Sequence, residues 1–187
     1  IDKLAESGID IRDRLLISNK SHLIIPTHRA LDAANENALQ KNKIGSTLKG
    51  IGPTYTDKTA RRGLRIGDIS ADDFKARYER LKNIHLDQIR NLNFDMSTLL
   101  LDGMTFEKYE EEWFKAVEFL KQFNFIESEY FINKSLNEGK RILAEGAQGT
   151  LLDVDFGSYP FVTSSSAIAA GACSGLGVAP SRIGKVF

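Results

Sequence analysis

The chain contains a single cysteine, Cys173, among 187 residues, which excludes an intrachain disulfide and is typical of a protein from a reducing compartment. We therefore expect a cytoplasmic location. No run of apolar residues is long enough to span a membrane, so we expect no membrane partner. The formal net charge is zero, which removes the overall attraction to polyanions on which nonspecific nucleic-acid binders depend. Nucleic acid is accordingly not an expected partner.

Proline and glycine are almost absent from the middle of the chain. Between Asp68 and Glu138 there is no proline and one glycine, Gly103. Apolar side chains recur there at helical spacing over 74–93 and again from Phe106 to Leu120, so we predict two helices whose aromatic side chains belong to a core or an interface. This punctuation divides the chain into three parts, 1–67, 68–138 and 139–187.

Short apolar runs in the two flanking parts predict β-strands. They are Leu15–Ser18, His22–Ile25 and Arg141–Ala144, and a helix is predicted from about Thr27 to Gln40. Short strands alternating with helices indicate an α/β protein with a largely helical middle region. The last run enters Glu145–Gly149, and a buried strand that ends in a glycine-bracketed turn is the usual place for a ligand in an α/β sheet.

Positive charge is concentrated between Lys41 and Gly67, where seven Lys and Arg and one acid give about +6. Four of these cations are spaced i, i+3, i+4 and i+7, so any helix there would carry them on one face: Lys58, Arg61, Arg62 and Arg65. They follow a loop that starts Gly45-Ser46-Thr47, and guanidinium groups beside hydroxyls suit a phosphate. The residues alone leave open a solvated face that pairs with the acidic middle of the chain.

A second group of small and hydroxyl residues occurs near the carboxyl end. Gln148 stands between Gly146 and Gly149, and its amide can both donate and accept, as reading a purine edge requires; the alternative is a hydrogen bond within a turn. Thr163–Ser166 could bind phosphate at the start of the next helix or simply cap that helix. The three histidines have no metal-ligand spacing and no carboxylate pair stands out, so neither a metal site nor a catalytic residue is predicted.

Five stretches, in this order and spacing, resemble the adenylosuccinate synthetase family. They are Ile44–Thr47, Gly50–Pro53, Ala60–Arg65, Glu145–Asp153 and Ser158–Ser165. The resemblance extends over essentially the whole chain. It implies a fragment of the P-loop-like α/β fold of that family, with the helices of 68–138 as a subdomain that makes dimer contacts.

The resemblance also implies a reaction and a set of binding residues. Members of the family join IMP to L-aspartate with GTP and magnesium; they first phosphorylate the 6-oxygen of IMP and then displace the phosphate with the aspartate amine. By resemblance, Thr47 and Thr163 contact the 5′-phosphate of IMP and Gln148 contacts the hypoxanthine ring near the 6-oxygen. Arg61 reaches the IMP phosphate of the partner subunit across a homodimer.

Much of the family's machinery is expected outside this chain. The phosphate loop with the catalytic aspartate, and the catalytic histidine, are expected before Ile1, and the guanine-recognition and aspartate-binding segments are expected after Phe187. We therefore expect an internal fragment with no catalytic residue, with its magnesium ligands elsewhere, and with no synthetase activity by itself. The alternative is a noncatalytic nucleotide-binding or dimerisation module, which a short parent reading frame would favour.

Two positions of the first glycine loop depart from the family pattern. That loop usually reads Gly-Thr-Thr-Gly-Arg-Gly, whereas here Leu48 replaces a glycine and Lys49 replaces an arginine. Because leucine resists a positive φ, the family pattern does not fix the exact path of this loop.

Overall fold

The computed structural model describes residues 1–187 and contains seven α-helices and two short β-strands. In chain order they are α1 (Asp2–Glu6), β1 (Leu16–Ser18), α2 (Pro26–Ala38), α3 (Ile51–Thr59), α4 (Phe74–Asn91), α5 (Phe106–Leu120), β2 (Asn124–Ile126), α6 (Ser128–Asn137) and α7 (Ala169–Leu176). Short 3₁₀ helices lie at Gln40–Asn42, Ile66–Ser70, Met96–Thr98, Thr150–Leu152 and Pro180–Arg182. No helix is both long and apolar enough to cross a membrane.

The two strands form a parallel pair, with Leu16 opposite Asn124 and Ser18 opposite Ile126. A parallel pair requires a crossover, and helices α2 to α5 supply it. This arrangement confirms the α/β class and the first predicted strand.

The other two predicted strands are wrong. His22 makes one isolated bridge to Arg65, and the run that follows leads directly into α2. Its apolar side chains are buried by packing rather than by a sheet, a distinction that a short apolar run cannot make. The run Arg141–Ala144 is exposed, with Leu143 83% accessible, because no other strand of this chain lies beside it.

The predicted helices are present close to their expected positions. Pro26 occupies the first turn of α2, where its missing N–H costs no hydrogen bond. Thr105 caps α5 by accepting the Lys108 N–H at 3.4 Å. The long middle helices α4 and α5 confirm the helical middle region.

Aromatic side chains of α4 and α5 form the centre of the larger core cluster, as their helical spacing predicts. Tyr78 is fully buried, and its ring centroid lies 5.2 Å from that of Trp113 and 4.8 Å from that of Phe114. The Trp113 indole N–H donates to the Ile24 carbonyl at 2.9 Å, which ties α5 to the chain entering α2. A smaller cluster around Ala30, Leu31 and Ile89 packs α2 against α4, so α2 is held from two sides.

Candidate functional site: two hydroxyl loops and a buried histidine–aspartate cluster

The loop between Gly45 and Gly50 is closed by one carboxylate of α2. Asp32 accepts the Ser46 hydroxyl through Oδ1 at 2.7 Å and the Gly50 N–H through Oδ2 at 2.9 Å. Ser46 Oγ in turn accepts the Leu48 N–H at 3.2 Å. Thr47 is left exposed at the tip, and its hydroxyl makes no hydrogen bond within the chain. The loop is therefore built to present Thr47 outward.

An arginine of α2 fixes the far side of the same loop. Arg29 donates from Nε to the Leu48 carbonyl at 3.2 Å and pairs in a bidentate manner with Asp102 at 2.6 and 3.0 Å. Lys49 Nζ also reaches Asp102, at 3.3 Å. The hydrogen bonds from Arg29, and then from Lys49, lower the pKa of Asp102 to about 2, so this carboxylate stays ionised at neutral pH.

Leu48 adopts the left-handed conformation, with φ at +56°. The loop thus keeps a backbone path that suits glycine. Leucine in place of the family glycine strains the backbone at position 48 and does not alter the path of the loop. A left-handed conformation costs an L-residue about 1–2 kcal/mol.

Replacing this leucine by glycine is expected to raise the free energy of unfolding. For Leu48→Gly we expect a gain of up to about 1 kcal/mol, because relief of strain exceeds the added entropy of the unfolded chain. The measurement is urea unfolding followed by circular dichroism. Leu100→Gly is the matched control, since Leu100 is also exposed but has no positive φ, and it is expected to lose stability. A Leu48→Gly chain less stable than the wild type would contradict the strain argument.

A second carboxylate organises the hydroxyl residues near the carboxyl end. Asp153 is fully buried and accepts four backbone N–H groups, from Asp155, Phe156, Ala167 and Ile168, at 2.6–3.2 Å. Burial acts to raise the pKa of Asp153, but these hydrogen bonds prevail and lower it. Of the two alternatives for the Thr163–Ser166 run, a cap on the next helix is wrong: α7 begins at Ala169, and Asp153 accepts the Ala167 and Ile168 N–H groups that precede it.

The structure brings the two hydroxyl loops toward one end of α3. A methyl group placed on Gly52, in the first turn of α3, would lie 3.6 Å from the Ser164 hydroxyl. Thr163 is half-buried beside this contact, and its N–H donates to the Leu152 carbonyl at 2.9 Å. Gln148 precedes that segment, exposed and with φ at +71°.

Arg61 lies at the opposite end of α3 from Thr47. The helix has nine residues, which is about 13 Å of rise. Arg61 is exposed, with φ at +62°, and its side chain makes no ion pair within the chain. The predicted cationic helix face is therefore wrong: α3 ends at Thr59, and only Lys58 of the four cations belongs to it.

Below this turn lies a fully buried cluster that the sequence analysis missed. His28 of α2 and His85 of α4 both place Nε2 2.8 Å from the same oxygen, Oδ2, of Asp57 on α3. Arg62 donates from Nε to Oδ1 of Asp57 at 2.7 Å. The main-chain carbonyl of Asp57 also accepts the N–H groups of Arg62 and Gly63. One residue thus joins three helices and closes the turn that carries Arg61.

The hydrogen bonds define the protonation of the cluster. His28 Nδ1 accepts the Ile25 N–H at 3.0 Å, so its proton lies on Nε2 and is donated to Asp57. Burial lowers the pKa of His28, which keeps this imidazole neutral. Burial acts to raise the pKa of Asp57, but the hydrogen bonds from His28, His85 and Arg62 outweigh it and hold that pKa well below its usual range.

The cluster does not fit magnesium, although it is the one place in the chain where three metal-ligating groups converge. Mg²⁺ prefers oxygen ligands, whereas two of these three groups are imidazoles that donate to the third. A signal for the cluster did exist in the sequence: His85 falls on the apolar stripe of α4, and a buried histidine requires a polar partner.

The fold and the loops define an α/β protein whose candidate binding groups are hydroxyls and backbone amides on loops at a helix end. The adenylosuccinate synthetase family model matches residues 1–187. The chain is 52% identical to the adenylosuccinate synthetase of Flavobacterium psychrophilum and 54% identical to that of Christiangramia forsetii; each comparison covers the whole chain and 43% of the relative. The chain therefore belongs to the adenylosuccinate synthetase family and spans less than half the length of these curated relatives.

A solved structure is similar over nearly the whole chain. It is described as fully ligated adenylosuccinate synthetase from Plasmodium falciparum, with a TM-score of 0.82 and 31% sequence identity. The similarity covers 98% of this chain and 41% of that structure. This confirms the expected fold and the resemblance read from the five stretches.

Proposed function

We propose that this chain carries the IMP-phosphate part of an adenylosuccinate synthetase, the ligase that joins IMP to L-aspartate while GTP is converted to GDP and phosphate. The main support is the approach of the Ser164 loop to the first turn of α3, directly after the loop that presents Thr47. Hydroxyl groups of two separate loops then lie near the first turn of α3, as a phosphate site requires.

Each of the four binding residues has a distinct proposed role. Thr47 and Thr163 donate their hydroxyls to the 5′-phosphate of IMP. Gln148 contacts the hypoxanthine ring near the 6-oxygen, where negative charge develops as that oxygen is phosphorylated, and an amide donor there stabilises the charge. The exposed position of Gln148, whose side chain makes no hydrogen bond within the chain, is compatible with this role.

Arg61 serves the neighbouring subunit in this proposal. It lies across the length of α3 from Thr47 and has no acidic partner in its own chain. An exposed guanidinium held by a fixed turn suits a phosphate brought from outside. We accordingly propose a homodimer in which Arg61 binds the IMP phosphate of the partner subunit.

The remaining substrates belong to other parts of a complete synthetase. The only convergent set of metal-ligating groups in this chain does not fit Mg²⁺, so we propose that magnesium binds elsewhere in a complete synthetase. By the same proposal, GTP and L-aspartate bind there too. The location that we propose for the enzyme is the cytoplasm.

Calorimetric titration of the 187-residue chain with IMP tests the proposal, with inosine as the ligand that lacks the phosphate and light scattering to give the oligomeric state. We expect saturable binding of IMP and none of inosine. In dimers, Arg61→Leu should weaken IMP binding about 10- to 100-fold, because a charge-assisted contact to phosphate is lost.

Arg80→Leu is the matched control, since Arg80 is an exposed arginine of α4 with no ion pair, and it should bind IMP as the wild type does. Equal binding of IMP and inosine, or no binding of IMP by the folded chain, would contradict the proposed site. An equal loss for Arg61→Leu in demonstrated monomers would contradict the cross-subunit role alone.

A further inference from the structure

A cavity of about 550 Å³ opens between the end of β1, one side of α3 and the facing ends of α6 and α7. None of the four residues that we assign to IMP lines it. The volume lies within the range of small-molecule sites, about 300–1,000 Å³. The cavity is thus large enough for a ligand of its own.

Positive charge in this cavity is not compensated. Lys58 and Arg65 line it, and neither side chain pairs with an acid anywhere in the chain. Lys58 Nζ lies 5.2 Å from the centroid of the Tyr55 ring, another lining residue. The single carboxylate in the wall, Glu129, is bound by the third cation, Lys20, so those two charges cancel. The remaining balance favours an anion.

His22 adds a half-buried imidazole without a hydrogen-bond partner. Both ring nitrogens are inaccessible and make no hydrogen bond within the chain. Buried polar atoms in native proteins are almost always partnered, so an unpartnered imidazole in a cavity wall points to a bound species. Burial, together with the nearby Arg65 and Lys58, lowers the pKa of His22, so the ring is neutral.

Hydroxyl groups and an apolar wall complete the cavity. Ser18 Oγ accepts the Ser128 hydroxyl at 2.8 Å and the Lys20 N–H at 3.2 Å, which leaves its own O–H free to donate. The apolar side chains of Ile24, Ile51 and Leu176 also line the space. An inorganic oxyanion would contact the polar groups but leave this wall unused.

We propose that the cavity binds a phosphate monoester. The phosphate lies among Lys58, Arg65 and His22, whose two cations match its dianionic charge, and the Ser18 hydroxyl donates to it. The organic body of the ester packs against the apolar wall.

Phenyl phosphate is a suitable probe. Phenol, which carries only the organic body, and inorganic phosphate, which carries only the anion, are the two control ligands. NMR of the 187-residue chain follows the His22 ring signals, assigned with His22→Asn, and calorimetry gives the affinity. We expect saturable shifts with phenyl phosphate at a dissociation constant below about 1 mM, weaker binding of inorganic phosphate and none of phenol. Lys58→Gln and Arg65→Gln should each weaken binding of phenyl phosphate about tenfold. Lys58→Arg, which keeps the positive charge, should retain binding.

Lys75→Gln removes one exposed cation of α4 away from the cavity and should leave binding unchanged. Circular dichroism confirms that each variant is folded. Binding without a response of His22, equal affinity in Lys58→Gln and the wild type, or no saturable binding would each overturn the proposal. The response of His22 and its loss in Lys58→Gln report on this cavity, so a response to phenyl phosphate would stand even if Arg61→Leu left the titration with IMP unchanged.

Discussion

Replacing Asp57 by alanine is expected to remove about 3–5 kcal/mol from the free energy of unfolding, a large part of the 5–15 kcal/mol typical of a domain. The variant leaves His28, His85 and Arg62 without the acceptor that all three share, and two of these donors are fully buried. The cost arises chiefly from donors that have lost both water and their partner. Urea unfolding followed by circular dichroism measures the difference.

Asp87→Ala is the matched control. Asp87 is an exposed aspartate of α4 that pairs with Arg90 at 2.6 Å, and its removal should cost less than about 0.5 kcal/mol. A loss of less than about 1 kcal/mol for Asp57→Ala would contradict the role given to the cluster.

The pH dependence provides a second readout of the same substitution. The pKa of Asp57 is depressed in the folded chain, so its stabilising contribution is present above the unfolded pKa, near 4, and is lost as the pH falls through the folded pKa. The difference in stability between the wild type and Asp57→Ala should therefore begin to shrink below pH of about 4. A difference that grows on acidification would contradict the assignment of this carboxylate as ionised.

Gly50→Ala is expected to cost about 2–5 kcal/mol. Gly50 has φ at +79°, which costs an L-residue about 1–2 kcal/mol. Its added methyl group would also lie 3.0 Å from each of three atoms, on Ile24, His28 and Arg29, and such overpacking costs about 1–3 kcal/mol. Since Gly50 closes the loop that presents Thr47, we expect IMP binding to weaken together with stability.

Substitutions of two neighbouring glycines separate backbone strain from close contact as causes of the cost of Gly50→Ala. Gly45→Ala, with φ at +86° and no atom nearby, should show the backbone strain alone, about 1–2 kcal/mol. Gly52→Ala, in α3 and with ordinary contact distances, should gain up to about 1 kcal/mol from helix propensity. Equal losses of unfolding free energy for Gly45→Ala and Gly50→Ala would show that the close contacts around Gly50 add nothing to the cost.

The sequence predicted best those elements that depend on local periodicity. The apolar stripes of α4 and α5 gave both helices, because one buried face is enough to define a helix. The linked motifs also predicted the family. Arg141–Ala144 failed as a strand because a strand exists only beside another strand, and a local pattern carries no information about the neighbour.

Longer-range contacts explain what the sequence analysis missed at the site. His28, Asp57 and His85 are separated by 29 and 28 residues, so no local spacing connects them. The end of α3 at Thr59 was missed for a related reason: Arg62 turns back to the buried carboxylate of Asp57, and Arg61 takes a left-handed conformation. The helical spacing of the four cations therefore predicted a face that extends beyond the last residue of α3.

The closure of the first loop by Asp32 restricts how this segment can drift in evolution. The two carboxylate oxygens of Asp32 accept the Ser46 hydroxyl and the Gly50 N–H, so both loop positions depend on a residue of α2. Threonine at position 46 would retain the required hydroxyl, whereas alanine or valine would release one side of the loop. Among distant members, changes at 32 and 46 should therefore occur together.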